Sequence, residues 1–279
     1  MATPTLTHHA LDGALGEILV DVRSASRGTA QPAVLLLHGF KGFKDYAFLP
    51  VYADRLARAG FVAVTVSVSG VGVDAAGDFT RIERFASNTY SKELDDLGVV
   101  VRALQQGQLD VAAPSSLGVV GHSRGGGMAL LLTHETPAIA AAVTWAGIGK
   151  VRRHSDAELE AWQRLGTIKI LHQRLRIHLP LHYDVVADCL AHEHGRLDIP
   201  EAARTLGRPW MQVHGTADGT VTIAEAQHLA EHAGDALTER LVLEGADHTF
   251  GTKHPWGGAT AEMEAVFNAT TRFLSRHLG

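Results

Sequence analysis

The sequence has a single cysteine, Cys189, which excludes an intramolecular disulfide framework and a cysteine-rich zinc site and fits a reducing compartment. Basic runs are missing as well. Lys and Arg number 25 against 30 Asp and Glu, a formal charge of −5, and no positive stripe is present that would track a phosphate backbone. Nucleic acid is therefore not an expected partner. No apolar run is long enough to span a bilayer, and Met1 to His9 has neither the basic start nor the apolar stretch of a targeting peptide. The expectation is a soluble, cytoplasmic protein with no membrane partner. Aromatic residues are only 6% of the chain, yet 279 residues at 46% hydrophobic content suffice for one full core.

What is present is an alternation of short apolar runs with helical patterns. Ala33 to Leu37 and Phe61 to Val68 are continuous apolar stretches, the signature of strands buried on both faces. Between them, Phe48 to Gly60 carries Val51, Leu56 and Ala57 at helical spacing and closes on Gly60. The pattern recurs. A helix over Ser91 to Gln106 places Leu94, Leu97, Val101 and Leu104 on one face, Leu117 to Gly121 is a strand, and Arg124 to His134 is a helix. Strands over Ala140 to Trp145, Trp210 to His214 and Glu239 to Leu243 follow, with helices over Thr222 to His232 and Glu262 to His277. This order predicts an α/β fold with a doubly wound, mostly parallel sheet, to which Glu17 to Arg23 adds an antiparallel edge strand. Val151 to Arg208 is longer than a connection requires and is expected to be a helical cap or lid insertion. The core is then 1–150 and 209–279, with the cap at 151–208.

Gly121-His122-Ser123-Arg124-Gly125 joins a strand to a helix, the context in which Gly-x-Ser-x-Gly marks a nucleophile elbow. Small flanking residues are needed because the serine sits in a strained turn. A chain with 29 glycines can produce the pattern by chance, but not its placement between strand and helix. A serine hydroxyl is a weak nucleophile at neutral pH, so an acid and then a histidine are expected downstream. Asp218 follows the strand ending at His214, and His248 follows the strand ending at Leu243. His38, His122 and His214 also lie near strand ends and are read as packing and hydrogen-bonding around their loops; Asp247 adjoins His248, and neighbours in sequence usually point apart. An oxyanion formed at Ser123 needs donors, and the expected backbone amides are those of Phe40, in the His38-Gly39-Phe40-Lys41-Gly42 loop, and Arg124.

These four motifs, in this order, make the chain resemble the α/β-hydrolase superfamily over nearly its whole length, and most of all the bacterial serine esterases near the dienelactone hydrolases, the cinnamoyl (feruloyl) esterases and the prolyl-oligopeptidase-like catalytic domains. Dienelactone hydrolases proper have cysteine where Ser123 stands, and prolyl oligopeptidases carry a large extra domain for which this chain has no room. The resemblance implies a carboxylesterase with a Ser123–His248–Asp218 triad, a small-molecule ester substrate, and neither metal nor organic cofactor. It leaves open an acyltransferase, peptidase or thioesterase using the same triad, a non-catalytic binding protein on the same fold, and pairing as a homodimer. It also implies that the insertion shapes the acyl pocket, with His38, His122, Trp145, Trp162, Leu179 and Tyr183 as candidate substrate-binding residues. Lys41, Lys44 and Arg124 are candidates for holding an acidic substrate group, or else are solvated charges. His192-Glu193-His194, in a segment that also holds His172, His178 and His182, is not read as a metal site, because ligands two apart share a face only on a strand.

Overall fold

Every apolar run between 33 and 215 that reads as a core strand folds as one in a computed structural model, which describes residues 3–26, 28–172 and 176–279. Met1 and Ala2, and residues 173–175 of the expected cap, lie outside the described residues. The chain order is β1 (Thr5–Gly13), β2 (Gly16–Ser24), β3 (Ala33–Leu37), α1 (Leu49–Arg58), β4 (Val62–Ser67), α2 (Ile82–Ala86), α3 (Tyr90–Gln105), β5 (Leu117–His122), α4 (Arg124–Glu135) and β6 (Ile139–Trp145). Next come α5 (Asp156–Leu165), β7 (Thr167–His172), β8 (Ile177–His182), α6 (Asp184–His192), α7 (Ile199–Arg204), β9 (Trp210–Gly215), α8 (Ile223–Ala233), β10 (Glu239–Leu243) and α9 (Ala261–Leu278).

The main sheet has the order β1-β2-β4-β3-β5-β6-β9-β10. It is parallel from β4 to β10, and β1 and β2 pair antiparallel at one side. The strand at Glu17 to Arg23 is thus not the edge, as expected from sequence; β1 lies outside it. β1 has no continuous apolar run, because a strand at the rim has little to bury on either face.

β3, β5 and β9 are buried along their whole length, and each Leu or Val removed from water there contributes about 1.5–3 kcal/mol. One apolar layer sits under α1 and α9, where Tyr52, Leu56, Phe267 and Phe273 are fully buried. The other sits under α3 and α4 and extends into the 151–208 segment through Trp162, Leu181 and Val185. Within that segment, Ser155 opens α5 with a reciprocal capping box to Glu158, and β7 and β8 form a separate hairpin resting on α2. The hairpin is absent from the sequence expectation of helical patches. Its last helix, α7, packs on α4 and α8, so the end of the segment belongs to the layer flanking the sheet.

Chain direction fixes where the site lies. After β4 the chain crosses β3 and continues as β5 on the other side, so the loops after β3 and β5 open at the same carboxyl end of the sheet. Such a switch point leaves a crevice in which α/β sheets bind ligands.

Candidate active site

Ser123 stands between β5 and α4 with φ +58° and ψ −120°, a conformation costly for any residue with a Cβ. The turn is held because Ser123 N donates to Trp145 O at 2.8 Å, and the Ser123 carbonyl accepts from Gly126 N at 2.9 Å and Ile148 N at 3.1 Å. Glycine is required on both flanks. A Cβ on Gly121 would lie 1.9 Å from the Gly125 carbonyl oxygen, and one on Gly125 would lie 2.5 Å from that of His38.

β9 and β10 deliver the other two groups. His248 Nδ1 is 2.8 Å from Asp218 Oδ2, and His248 Nε2 is 2.9 Å from Ser123 Oγ. An ionised carboxylate only accepts, so Nδ1 carries the proton and Nε2 is left to accept from the serine hydroxyl. Asp218 Oδ1 accepts from Thr220 N at 2.8 Å and Val221 N at 2.9 Å. Burial alone would raise the Asp218 carboxyl, but hydrogen bonds from His214, His248 and the Val221 amide hold it well below the usual carboxylate range.

The other strand-end histidines brace these groups. Burial, reinforced by nearby His248, lowers the His122 imidazole to about 3. Neutral His122 therefore donates its Nε2 proton to the His248 carbonyl at 2.9 Å. His214, fully buried, has Nε2 2.8 Å from Val221 O and 3.4 Å from Asp218 Oδ2. His38 turns Nδ1 to the Gly39 carbonyl at 2.8 Å, and burial lowers it to about 4. His38 and His122 are thus scaffold residues and not cavity-lining ones as the resemblance implied.

A cavity of about 200 Å³ opens beside Ser123, walled chiefly by apolar side chains from the 151–208 segment with Phe40, Tyr90 and Arg124. Of the six candidate substrate-binding residues, Trp162 alone lines it, its indole N–H donating to Leu181 O at 3.2 Å. Trp145 ends β6 on the opposite face of the sheet, packed on Phe48 and Tyr52, with its N–H on Thr270 Oγ1 at 2.9 Å. Leu179 is fully buried in the core beneath the hairpin, and Tyr183 caps α6 away from the cavity wall. Val151, in the bend before α5, and Val185, Val186 and Cys189, on the short helix α6, line it instead; their only signal in the sequence is apolar character.

The loop after β3 runs against the serine turn: a Cβ on Gly39 would lie 3.0 Å from that of Ser123. This brings the Phe40 main chain beside Ser123. Arg124, as the first residue of α4, has an amide with no carbonyl four residues back in the helix. Phe40 and Arg124 both line the cavity beside Ser123. Of the three cations considered for an acidic group, Lys44 is buried in an ion pair with Asp21 at 3.0 Å, and Lys41 reaches the Leu171 carbonyl at 3.3 Å. The Arg124 side chain is buried in the cavity wall, with Nη2 3.0 Å from Glu93 Oε1.

His192 ends α6 and His194 follows it in a turn, lying 4.0 Å from Asp188 and 3.8 Å from Glu193 respectively. Among the described residues, no group of three or more His, Cys, Asp or Glu side chains could hold a metal ion, and no helix is long and apolar enough to cross a membrane.

The sheet order, the strained serine turn and the loops at the carboxyl edge define an α/β-hydrolase. Residues 20–172 match the dienelactone hydrolase family, and the chain belongs to that family. Its fold is shared by an α/β hydrolase from Penicillium, GrgF, at 16% identity and TM-score 0.74, covering 98% of this chain and 99% of that one. Est1E from Butyrivibrio proteoclasticus, solved with ferulic acid bound, superposes with TM-score 0.73 at 15% identity over 96% of this chain and 98% of its own. A dienelactone hydrolase from Anabaena variabilis gives TM-score 0.62 at 17% identity, covering 99% and 100%. No curated protein sequence matches this one.

Proposed function

We propose that the protein is a carboxylesterase that works through an acyl-serine intermediate. The observation that carries this reading is the unbroken hydrogen-bonded line from Ser123 Oγ through His248 to Asp218, at 2.9 and 2.8 Å, beside an apolar cavity. Ser123 Oγ attacks the ester carbonyl as His248 Nε2 takes its proton, and Asp218 stabilises the imidazolium. The tetrahedral oxyanion receives hydrogen bonds from the Phe40 and Arg124 amides. Collapse expels the alcohol, protonated by His248, and a water molecule activated by the same imidazole then releases the acid and restores Ser123.

Membership of a hydrolase family supports this reading, and so does the likeness to Est1E, whose solved structure holds ferulic acid. Serine replaces the thiol of dienelactone hydrolases proper, so the hydroxyl depends on His248 for activation where a thiol ionises more readily. The experiment is hydrolysis of short p-nitrophenyl esters by Ser123→Ala, with turnover expected to fall on the order of 10⁴-fold or more and the melting temperature to hold. An unchanged rate would remove the proposal.

A further inference from the structure

The wall of the cavity is largely apolar and carries three arginines, one of which is unlike the others. Arg153 is paired with Glu225 at 2.7 Å and donates to Thr220 O at 3.1 Å; Arg152 is paired with Asp156 and with Glu193 at 3.4 Å. Both use their N–H groups on the protein. The Arg124 side chain is only 8% exposed, with its guanidinium carbon 3.8 Å from the centre of the Tyr90 ring and 5.5 Å from that of Phe40. Glu93, itself buried, balances the charge at 3.0 Å, and its Oε1 also accepts from Asn88 Nδ2 at 2.6 Å. Its Nε and Nη2 are buried without an aligned acceptor, Nη2 lying beside Glu93 off the line of its N–H bonds, whereas Nη1 is not closed off and has no hydrogen-bond partner among the described residues. Burial opposes the Arg124 charge, but Glu93, with smaller contributions from Tyr90, Cys189 and Asp188, raises the guanidinium above its usual value.

A donor facing an apolar cavity without an acceptor is costly, and a ligand that supplies the acceptor recovers that cost. Charge decides what kind of acceptor. Burial raises the Glu93 carboxyl while Arg124 and the hydrogen bond from Asn88 lower it, and at 3.0 Å Glu93 offsets the Arg124 charge, so an entering carboxylate loses its water and meets Glu93 as well as Arg124. An uncharged oxygen takes the N–H without that repulsion. Ser123 and Arg124 line the same cavity, so a group bonded to Ser123 through its carbonyl extends past the guanidinium.

We propose that the Arg124 side chain is a specificity-determining donor, and that the ester hydrolysed here carries an uncharged oxygen acceptor, a ketone, ether or hydroxyl, on an otherwise apolar acyl group. This rests on the esterase reading above and adds the substrate class to it. Arg124 then has two separate roles, its amide toward the oxyanion and its side chain toward the far end of the acyl group. Glu93 is a positioning residue that sets the charge of the site without lining it.

The test uses three p-nitrophenyl esters with acyl chains of equal length, ending in an alkyl group, a methyl ketone and a carboxylate. The wild-type protein is expected to show kcat/KM about tenfold or more higher on the ketone than on the alkyl ester, and a lower value on the carboxylate than on the ketone. Glu93→Gln keeps the shape and an acceptor for Asn88 but frees the Arg124 charge, and is expected to reverse the order of ketone and carboxylate. A merely structural Glu93 would not move that order. Arg124→Met is expected to bring the ketone-to-alkyl ratio close to one; if either variant fails to fold, the order of the three esters on the wild-type protein decides. Equal rates on ketone and alkyl esters, or a wild-type preference for the carboxylate, would overturn the inference and leave the esterase standing. Hydrolysis of none of the three would overturn the esterase reading and this inference with it.

Discussion

The carboxyl edge of the sheet and the 151–208 segment meet at one cavity but are built on opposite terms. At the sheet edge, position is enforced by backbone: Gly121 and Gly125 admit no Cβ, and Ser123 is held at φ +58° by main-chain hydrogen bonds to Trp145, Gly126 and Ile148. In the 151–208 segment, position is enforced by apolar side chains of Val151, Trp162, Val185 and Val186, each exchangeable for another of similar volume. The first arrangement fixes the Ser123 side chain through the backbone that carries it. The second fixes only the shape of a wall.

That contrast breaks if changes to the Ser123 turn backbone or to the Ser123–His248–Asp218 line alter preference instead of rate; the Arg124 side chain, proposed above to meet the acyl group, stands outside it. The largest effect is expected from Asp218→Asn, which favours the wrong His248 tautomer: kcat on a simple ester should fall on the order of 10⁴-fold with ester preference unchanged, measured as kcat across an acyl series. Gly121→Ala comes next. Its Cβ meets the Gly125 carbonyl oxygen at 1.9 Å, and denaturant unfolding should show a loss of about 3 kcal/mol or no soluble protein at all.

Acid should act through the core side. His38 and His122 are lowered to about 4 and about 3 by burial, so the unfolded chain takes up protons below pH 6.5 that the folded chain refuses. Stability is therefore full above about pH 6.5 and is lost as pH falls toward the folded values, by about 2 kcal/mol per histidine at pH 5. Urea midpoints at pH 7 and pH 5 measure this, and no loss would contradict the neutral, buried state of both rings. The smallest effects sharpen the contrast between the two tryptophans. Trp145→Phe removes a buried hydrogen bond to Thr270 and should cost about 1 kcal/mol without altering acyl preference. Trp162→Phe should change acyl-size preference a few-fold, on the order of 1 kcal/mol, in a kcat/KM series.

The same contrast explains what was legible in the sequence. Ser123, His248 and Asp218 are found because each follows an apolar strand and the turn chemistry around the serine demands glycine at stated offsets. The inner parallel strands β3, β5 and β9 are legible because burial on both faces makes them largely apolar runs. β1 is not, since Thr5 to Gly13 lies at the rim with partly exposed side chains, nor is the β7–β8 hairpin, where Ile168 and Ile170 alternate with exposed Thr167, Lys169 and Leu171 in a short segment. Trp145 was misplaced because aromatic character says nothing about which face of β6 a side chain takes; its packing on Phe48, Tyr52 and Phe267 puts it under α1 and α9. Glu93 left a trace that could have been read, a carboxylate four residues before Leu97 on the apolar face of α3.

The central claim is that Ser123 is the nucleophile, activated through His248. Reaction with a fluorophosphonate followed by mass spectrometry of the digested protein tests it most directly. The expected result is one adduct per chain, on the peptide containing Ser123, whose rate of formation falls steeply in His248→Ala. An adduct on another residue, or none at concentrations that label serine esterases, would contradict it.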